Sequence, residues 1–205
     1  MKNREYKSRR NKLAKAIGKD GVAIIATADL STRTNDTDYP FRSDSDFYYL
    51  TGFLEPNSLM LLAPGRPEGE FILCVRPKNP LMETWEGHME GLNGVIKNYD
   101  VDQSFDIANI DVVLKDLLYG KEKIFYSIGK NNFYDEKVTE VFKVLRESQR
   151  QGGVVPNEIV SIDTIIHEMR QIKSRKEIQL MKQAARIGVE AHLRVMRECK
   201  PSIFE

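Results

Sequence analysis

Two cysteines, three histidines and one tryptophan in 205 residues leave little of the chemistry that staples small domains or seats metals. Cys74 sits in the apolar stretch FILCV and Cys199 near the end of a helical stretch; two such cysteines cannot build the disulfide framework of a small secreted fold, so a reducing, cytoplasmic setting is expected. No apolar run approaches the roughly 18 residues needed to cross a bilayer. The basic opening MKNREYKSRRNKLAKAIG is not followed by the apolar core of a signal peptide, and the expectation is a chain neither exported nor inserted. Without a secretory route the acceptor spacing at Asn35-Asp36-Thr37 has no use. An excess of one charge is missing too. With 31 basic and 30 acidic residues the net charge is +1, so no overall field draws the protein to nucleic acid or to an anionic membrane, and any partner must be recognised by a local site.

The usual catalytic signatures are equally scarce. His88, His167 and His192 form neither a His-x-x-x-His nor a His-Glu-x-x-His pair, and His167 and Glu168, being neighbours, point about 100° apart on a helix and cannot share a ligand. There is no Gly-x-Ser-x-Gly elbow, no P-loop, and no Gly-x-Gly-x-x-Gly after the apolar VAIIAT. Neither a catalytic residue nor a metal site is expected within this chain.

What is present is material for a core: 41% of residues are hydrophobic and 30% charged. Residues 3 to 18 place Tyr6, Leu13, Ala14 and Ile17 on one face and Lys and Arg on the other, which predicts an opening helix ending at Gly18. VAIIAT reads as a buried strand. SLMLLA (58 to 63) and FILCV (71 to 75) read as two more, and the turn-rich PGRPEGE between them is too short for a parallel crossover, so an antiparallel hairpin is expected. Weaker helical signals at LMETWEG and GLNGVIKNY lead to a short strand near Ser104 to Asp106. Helices at 106 to 118 and 135 to 148 flank a strand at KIFYSI, 123 to 128. Alternation of this kind predicts an α/β fold with a mixed sheet flanked by helices.

The last third differs. EIVSI reads as a final strand and DTIIHEMRQIK as a short helix. Ser174-Arg175-Lys176-Glu177 then spells a capping box, opening a long helix with a stripe of Met181, Ala184, Ala185, Gly188, Ala191 and Val195. A stripe so rich in small residues predicts a closely packed neighbour. A boundary falls in the segment Asn157 to Thr164, after the glycine-rich RQGGVVPNE, giving domains at 1–163 and 164–205.

Residues 41 to 62, FRSDSDFYYLTGFLEPNSLMLL, set Phe47, Tyr48, Tyr49 and Phe53 beside Arg42, Asp44 and Asp46. Read alone, the carboxylates Asp36, Asp38, Asp44 and Asp46 suit a solvated loop with local Asx turns. Trp85, flanked by Glu83, Glu86 and His88 and followed by glycine, suits a ring exposed at a surface or interface. Arg150 reads as a solvated helix end.

These strings carry a resemblance. DYPFRSDSDFYYLTGFLEPNSLMLL with METWEGHMEG resembles the N-terminal domain of aminopeptidase P, the Xaa-Pro aminopeptidases, and IIHEMRQIKSRKEIQLMKQAARIGVEAHLRVM resembles the start of that family's catalytic domain. The resemblance implies an α/β domain of the creatinase and prolidase N-terminal type, then a pita-bread domain that holds two metal ions, usually manganese, through two Asp, one His and two Glu. It implies hydrolysis of the bond between a first residue and a proline. It places every metal ligand beyond Glu205, so this chain alone is expected to be inactive and without a cofactor. It further implies a homo-oligomer in which Trp85, Arg150 and Asp36 line a neighbouring subunit's substrate site, with Trp85 closing over the pocket to exclude water, while the rings of 47 to 53 bury inward and Arg42 and the aspartates pin the preceding loop and face a partner. Ser202 stands where the family commonly has glycine. A free-standing binding or assembly domain, or a prolidase or creatinase relative, is compatible with the same residues.

Overall fold

The structure is a computed structural model in which residues 2–149 and 152–201 are described; Arg150 and Ser202 lie outside them. The chain forms two compact units, Met1–Ile166 and His167–Glu205. In the first, six strands make one mixed sheet in the order β6-β5-β4-β1-β7-β8. These are β1 (Gly21–Ala26), β4 (Leu59–Leu62), β5 (Phe71–Val75), β6 (Gln103–Asp106), β7 (Lys123–Phe125) and β8 (Glu158–Val160). The short pair β2 (Thr32–Thr34) and β3 (Thr37–Asp38) forms a separate exposed hairpin, where the sequence suggested only a loop. β4 and β5 pair antiparallel as their short connection required, and β1 is antiparallel to β4 but parallel to β7.

The apolar runs of β1, β4 and β5 are continuous rather than alternating because both faces of the sheet are covered. One face presents Val22, Ile24, Leu59, Leu61, Ile72, Cys74 and Ile124. These pack with Ile110, Val113, Leu114 and Leu117 of α5 (Ile110–Leu118) and with Val138, Val141 and Leu145 of α6 (Asn132–Ser148). The other face presents Ala23, Ile25, Met60, Leu62, Phe71 and Leu73, all buried. On that side α1 (Lys2–Ile17) and α2 (Ser45–Thr51) pack on each other and on β1, burying Leu13, Ile17, Phe47 and Leu50.

The charged and aromatic run thus resolves into a helix. Asp44 Oδ1 accepts from the amides of Asp46 (2.8 Å) and Phe47 (3.0 Å), satisfying donors that the first turn would leave bare. At the other end Gly52 takes φ 71° and donates to Tyr48 O. A Cβ at that position would lie 2.4 Å from the Tyr6 ring, so glycine is required by both backbone and space. Two arginines of α1 cover the carbonyls of the last turn: Arg9 donates to Tyr49 O and Arg10 to Leu50 O, each at 3.0 Å, placing cations at the negative end of α2. Arg10 is only 4% exposed and lies 3.8 Å over the Phe71 ring; burial lowers its pKa to about 10 against the opposing pull of Asp100 and Asp102. The α1 face read as uniformly polar therefore hides a buried cation. Asp44 caps its own helix and Asp46 is buried against Lys130, so both fix the chain locally.

In the second unit α8 (Arg175–Glu198) opens with the predicted capping box: Ser174 Oγ accepts from Glu177 N at 3.2 Å and Glu177 Oε2 from Ser174 N at 2.8 Å. Exposed pairs Arg186–Glu190 and Arg194–Glu198 lace its surface at i,i+4 spacing. No residue of α8 is buried, and a Cβ on Gly188 would meet nothing within 4 Å; the close neighbour expected for its stripe is absent from the described residues. No described helix is long and apolar enough to cross a membrane.

Candidate functional site

Between β5 and the next helix on that side, α4 (Gly91–Tyr99), the chain makes an excursion from Lys78 to Gly91. Its ends are pinched together. Gly91 has φ 63°, and a Cβ there would sit 2.9 Å from the Lys78 amide nitrogen, closer than any side chain tolerates. A compact loop with adjoining ends is the geometry of an Ω-loop. Met89 is buried at its return, where the Glu90 amide donates to Glu55 Oε1 at 2.7 Å.

The tip of this excursion is α3 (Pro80–Glu86). Asn79 Oδ1 accepts from Leu81 N (3.1 Å) and Met82 N (3.4 Å), proline occupies the first turn where its missing amide costs nothing, and Gly87, φ 85°, ends the helix. None of its residues is buried. Leu81 and Trp85, one turn apart, share a face and are 80% and 86% exposed. Glu83 and Glu86 lie on the opposite face and turn back toward the protein. Glu86 pairs with Arg76; Glu83 accepts the Met89 amide at 2.9 Å and stands 3.3 Å from Lys78 Nζ and 3.4 Å from His88 Nδ1. The hydrogen bond from Met89, chiefly, holds the Glu83 carboxyl below its ordinary pKa. Globular helices put their apolar stripe inward; α3 does the reverse.

Asp36 occupies the turn of the β2–β3 hairpin, exposed, with Thr37 Oγ1 donating to its Oδ1 at 3.4 Å. Nearby, Arg33 lies 5.9 Å over the Tyr39 ring. No hydrogen bond, ion pair or ring contact among the described residues joins Asp36 to Trp85. The third residue singled out from sequence, Arg150, lies outside the described residues. The sequence reading did not find Arg76, Glu55 or Lys78, although the acidic flanks of Trp85 were a visible sign that cations must stand opposite.

A second feature lies at the carboxyl ends of β1 and β7, the edge where ligands of α/β sheets commonly bind. A pocket of about 350 Å³ is lined there by Thr27, Asp29, Asp44, Asp46, Lys130 and Asn131, among others. Lys130 Nζ stands 3.1 Å from Asp46 and 2.8 Å from Asp163, and Asn131 Nδ2 donates to both Asp29 oxygens at 2.9 Å. Burial works to lower the Lys130 pKa, but its two carboxylate partners raise it on balance. The ammonium bridges the two carboxylates and offsets one of their two charges, which braces this edge of the sheet.

The family described as "Aminopeptidase P, N-terminal domain" matches residues 6–126. The Xaa-Pro aminopeptidase of Escherichia coli is 31% identical over 206 residues, covering 100% of this chain and 47% of that protein. Human Xaa-Pro aminopeptidase 3 is 26% identical, covering 98% of this chain and 41% of the relative. Among solved structures, Pseudomonas aeruginosa aminopeptidase PepP superposes with a TM-score of 0.94 at 38% identity, covering 98% of this chain and 46% of that one. Zinc-substituted E. coli aminopeptidase P in complex with product gives 0.93 at 30%, covering 99% and 46%. The chain spans about half the length of the relatives it matches.

Proposed function

That the chain belongs to the family of the aminopeptidase P N-terminal domain is the premise from which we propose its role: it is the non-catalytic part of a metal-dependent Xaa-Pro aminopeptidase and supplies an aromatic wall to a substrate site. The observation that carries this reading is α3, which holds Trp85 and Leu81 out to solvent on a helix whose polar face is turned inward. An exposed indole is an apolar surface awaiting a cover, and a proline-containing peptide bound in a neighbouring subunit of a homo-oligomer is the partner we assign to it. Covering such a site excludes water and strengthens the polar contacts inside. Asp36, on its exposed hairpin, and Arg150 are assigned to the rim of the same site.

The two metal ions, manganese by preference, belong in this reading to residues other than those described in the first unit. Where Asp46 and Asp163 converge, the Lys130 ammonium already lies between them, and two carboxylates sharing a fixed cation do not fit a dinuclear centre of five ligands. The chain's part in the reaction is therefore to shape and close the site, in a cytoplasmic enzyme. The test is the full-length protein assayed on a peptide with proline in second position, with manganese, cobalt or zinc. Trp85→Ala is expected to raise KM and lower kcat/KM while leaving stability nearly unchanged. Absence of turnover with every metal removes the enzymatic reading, and an unchanged kcat/KM removes the role of Trp85.

A further inference from the structure

α3 cannot owe its position to burial. A seven-residue helix is far too short to persist alone, since isolated helices below about 12 residues are marginal in water. Its exposed residues include every apolar side chain it has: Pro80, Leu81, Met82 and Trp85. The caps at Asn79 and Gly87 decide that the segment is helical, and the pinch at Lys78 and Gly91 decides where its ends are. Neither decides how the helix is rotated about its own axis, which is the variable that aims Trp85. Only groups reaching from the body to one face of α3 can set that rotation.

One such group reaches the last turn of α3. Arg76, the residue after β5, donates from Nη1 to Glu86 Oε2, adjacent in sequence to Trp85. The Arg76 side chain is only 19% exposed, so its pair with Glu86 is screened less by solvent than a surface pair. The carboxyl of Glu55, half-buried, also lies within electrostatic reach of Arg76. Glu55 itself is fixed by the Glu90 amide, at the return of the excursion. The chain of contacts runs from the end of β5 through Arg76 to Glu86, while Glu55, bonded to the Glu90 amide at the return of the loop, reaches Arg76 only through its charge. Lys78 and His88 hold Glu83 at the other acidic position of the same face.

We propose that Arg76 is the positioning residue for Trp85: its ion pair with Glu86 sets the rotation of α3, so that Leu81 and Trp85 face outward as one preformed apolar surface. The inference rests on the role assigned to Trp85 above but has its own readout. Arg76 touches no reacting atom; its effect reaches the substrate only through the indole. An ordered α3 binds without first being ordered by its ligand, so loss of the pair falls on binding rather than on the chemical step.

The experiment uses the full-length protein with Arg76→Met, which keeps the apolar stem, and Glu86→Gln, whose exposed partner side leaves the core untouched. Hydrogen exchange of the amides between residues 80 and 88 is expected to quicken by about fivefold in each, and exchange in β4 to stay as it was. KM for a Xaa-Pro peptide is expected to rise about two- to fivefold with kcat nearly constant, and the double variant to be no worse than either single one. Exchange in 80 to 88 that is unaltered in Glu86→Gln overturns the proposal. Faster exchange with unaltered KM upholds the tether and overturns the substrate role of Trp85, which keeps the two failures distinct.

Discussion

α2 and α3 are made from the same local parts and end in opposite situations. Each has seven residues, starts at an Asx cap (Asp44, Asn79) and stops at a glycine with positive φ (Gly52, Gly87). Each carries aromatic and acidic side chains. Yet α2 buries Phe47 and Leu50, one turn apart, while α3 turns Glu83 and Glu86, also one turn apart, toward the body. The last carbonyls of α2 receive Arg9 and Arg10 from another helix, whereas α3 receives cations on its side chains. Caps therefore determine that a helix forms and where it stops; the body's partners determine which face it shows. A helix held by burial belongs to the core, and one held by ion pairs is available to something else.

The comparison can be broken in several places. The largest effect is expected from its apolar side chains: Phe47→Ala should cost about 3–5 kcal/mol in denaturant unfolding followed by circular dichroism, because it leaves a cavity under α1, while Trp85→Ala should stay within about 0.5 kcal/mol. Comparable losses would mean that α3 is part of the core after all. The glycines come next. Gly52→Ala forces a left-handed conformation worth roughly 1–2 kcal/mol and also drives a Cβ into Tyr6, whereas Gly87→Ala meets open space and its cost is wholly conformational, at φ 85° and ψ −170° in a region essentially reserved for glycine. Thermal midpoints in a Tyr6→Ala background separate the two terms: part of the Gly52→Ala loss should be relieved there, none of the Gly87→Ala loss, and no relief at Gly52 would refute the packing account.

The caps sharpen the contrast further. Asp44→Ala should lower global stability by about 1–2 kcal/mol; Asn79→Ala, removing the same kind of bond, should quicken hydrogen exchange in α3 alone with the global midpoint in place. The smallest effect concerns pH. Burial raises the Glu55 pKa, with the Glu90 amide and Arg76 opposing, so the folded state binds its proton more tightly than the unfolded chain. That contribution favours folding at low pH and is lost as pH rises from the ordinary glutamate value through the raised one. Glu55→Gln keeps an acceptor for the Glu90 amide and should flatten this decline in unfolding midpoints measured from about pH 4 to about pH 8. A slope identical to the parent's would show that Glu55 does not titrate there.

Much of the fold was legible because its signals are local. The capping box of α8, the stripe of Val138, Val141 and Leu145 in α6, and the short β4–β5 connection each specify structure within a dozen or so neighbours. α2 was less legible. Phe47-Tyr48-Tyr49-Leu50 is a contiguous apolar run without a helical gap, and its decisive sign, Asp44 as a cap, is shared with ordinary Asx turns. Arg10 was invisible as a buried residue, since what admits it is a carbonyl forty residues away and the face of Phe71. At the candidate site Trp85 could be singled out by its polar flanks, but Arg76 could not, because an arginine after a strand looks like any solvated end.

The sequence by itself determined the course of most helices and strands, though not of α2 or the β2–β3 hairpin, since caps, glycines and apolar periods act over one or two turns of chain. Only the tertiary structure decided which charges are inside: Asp46 beside a Lys130 that is 84 residues distant, Arg10 under α2, Arg76 under α3. The physical reason is that a buried charge is tolerated only where an opposite charge or a carbonyl meets it in space, and that meeting is set by how the elements stack.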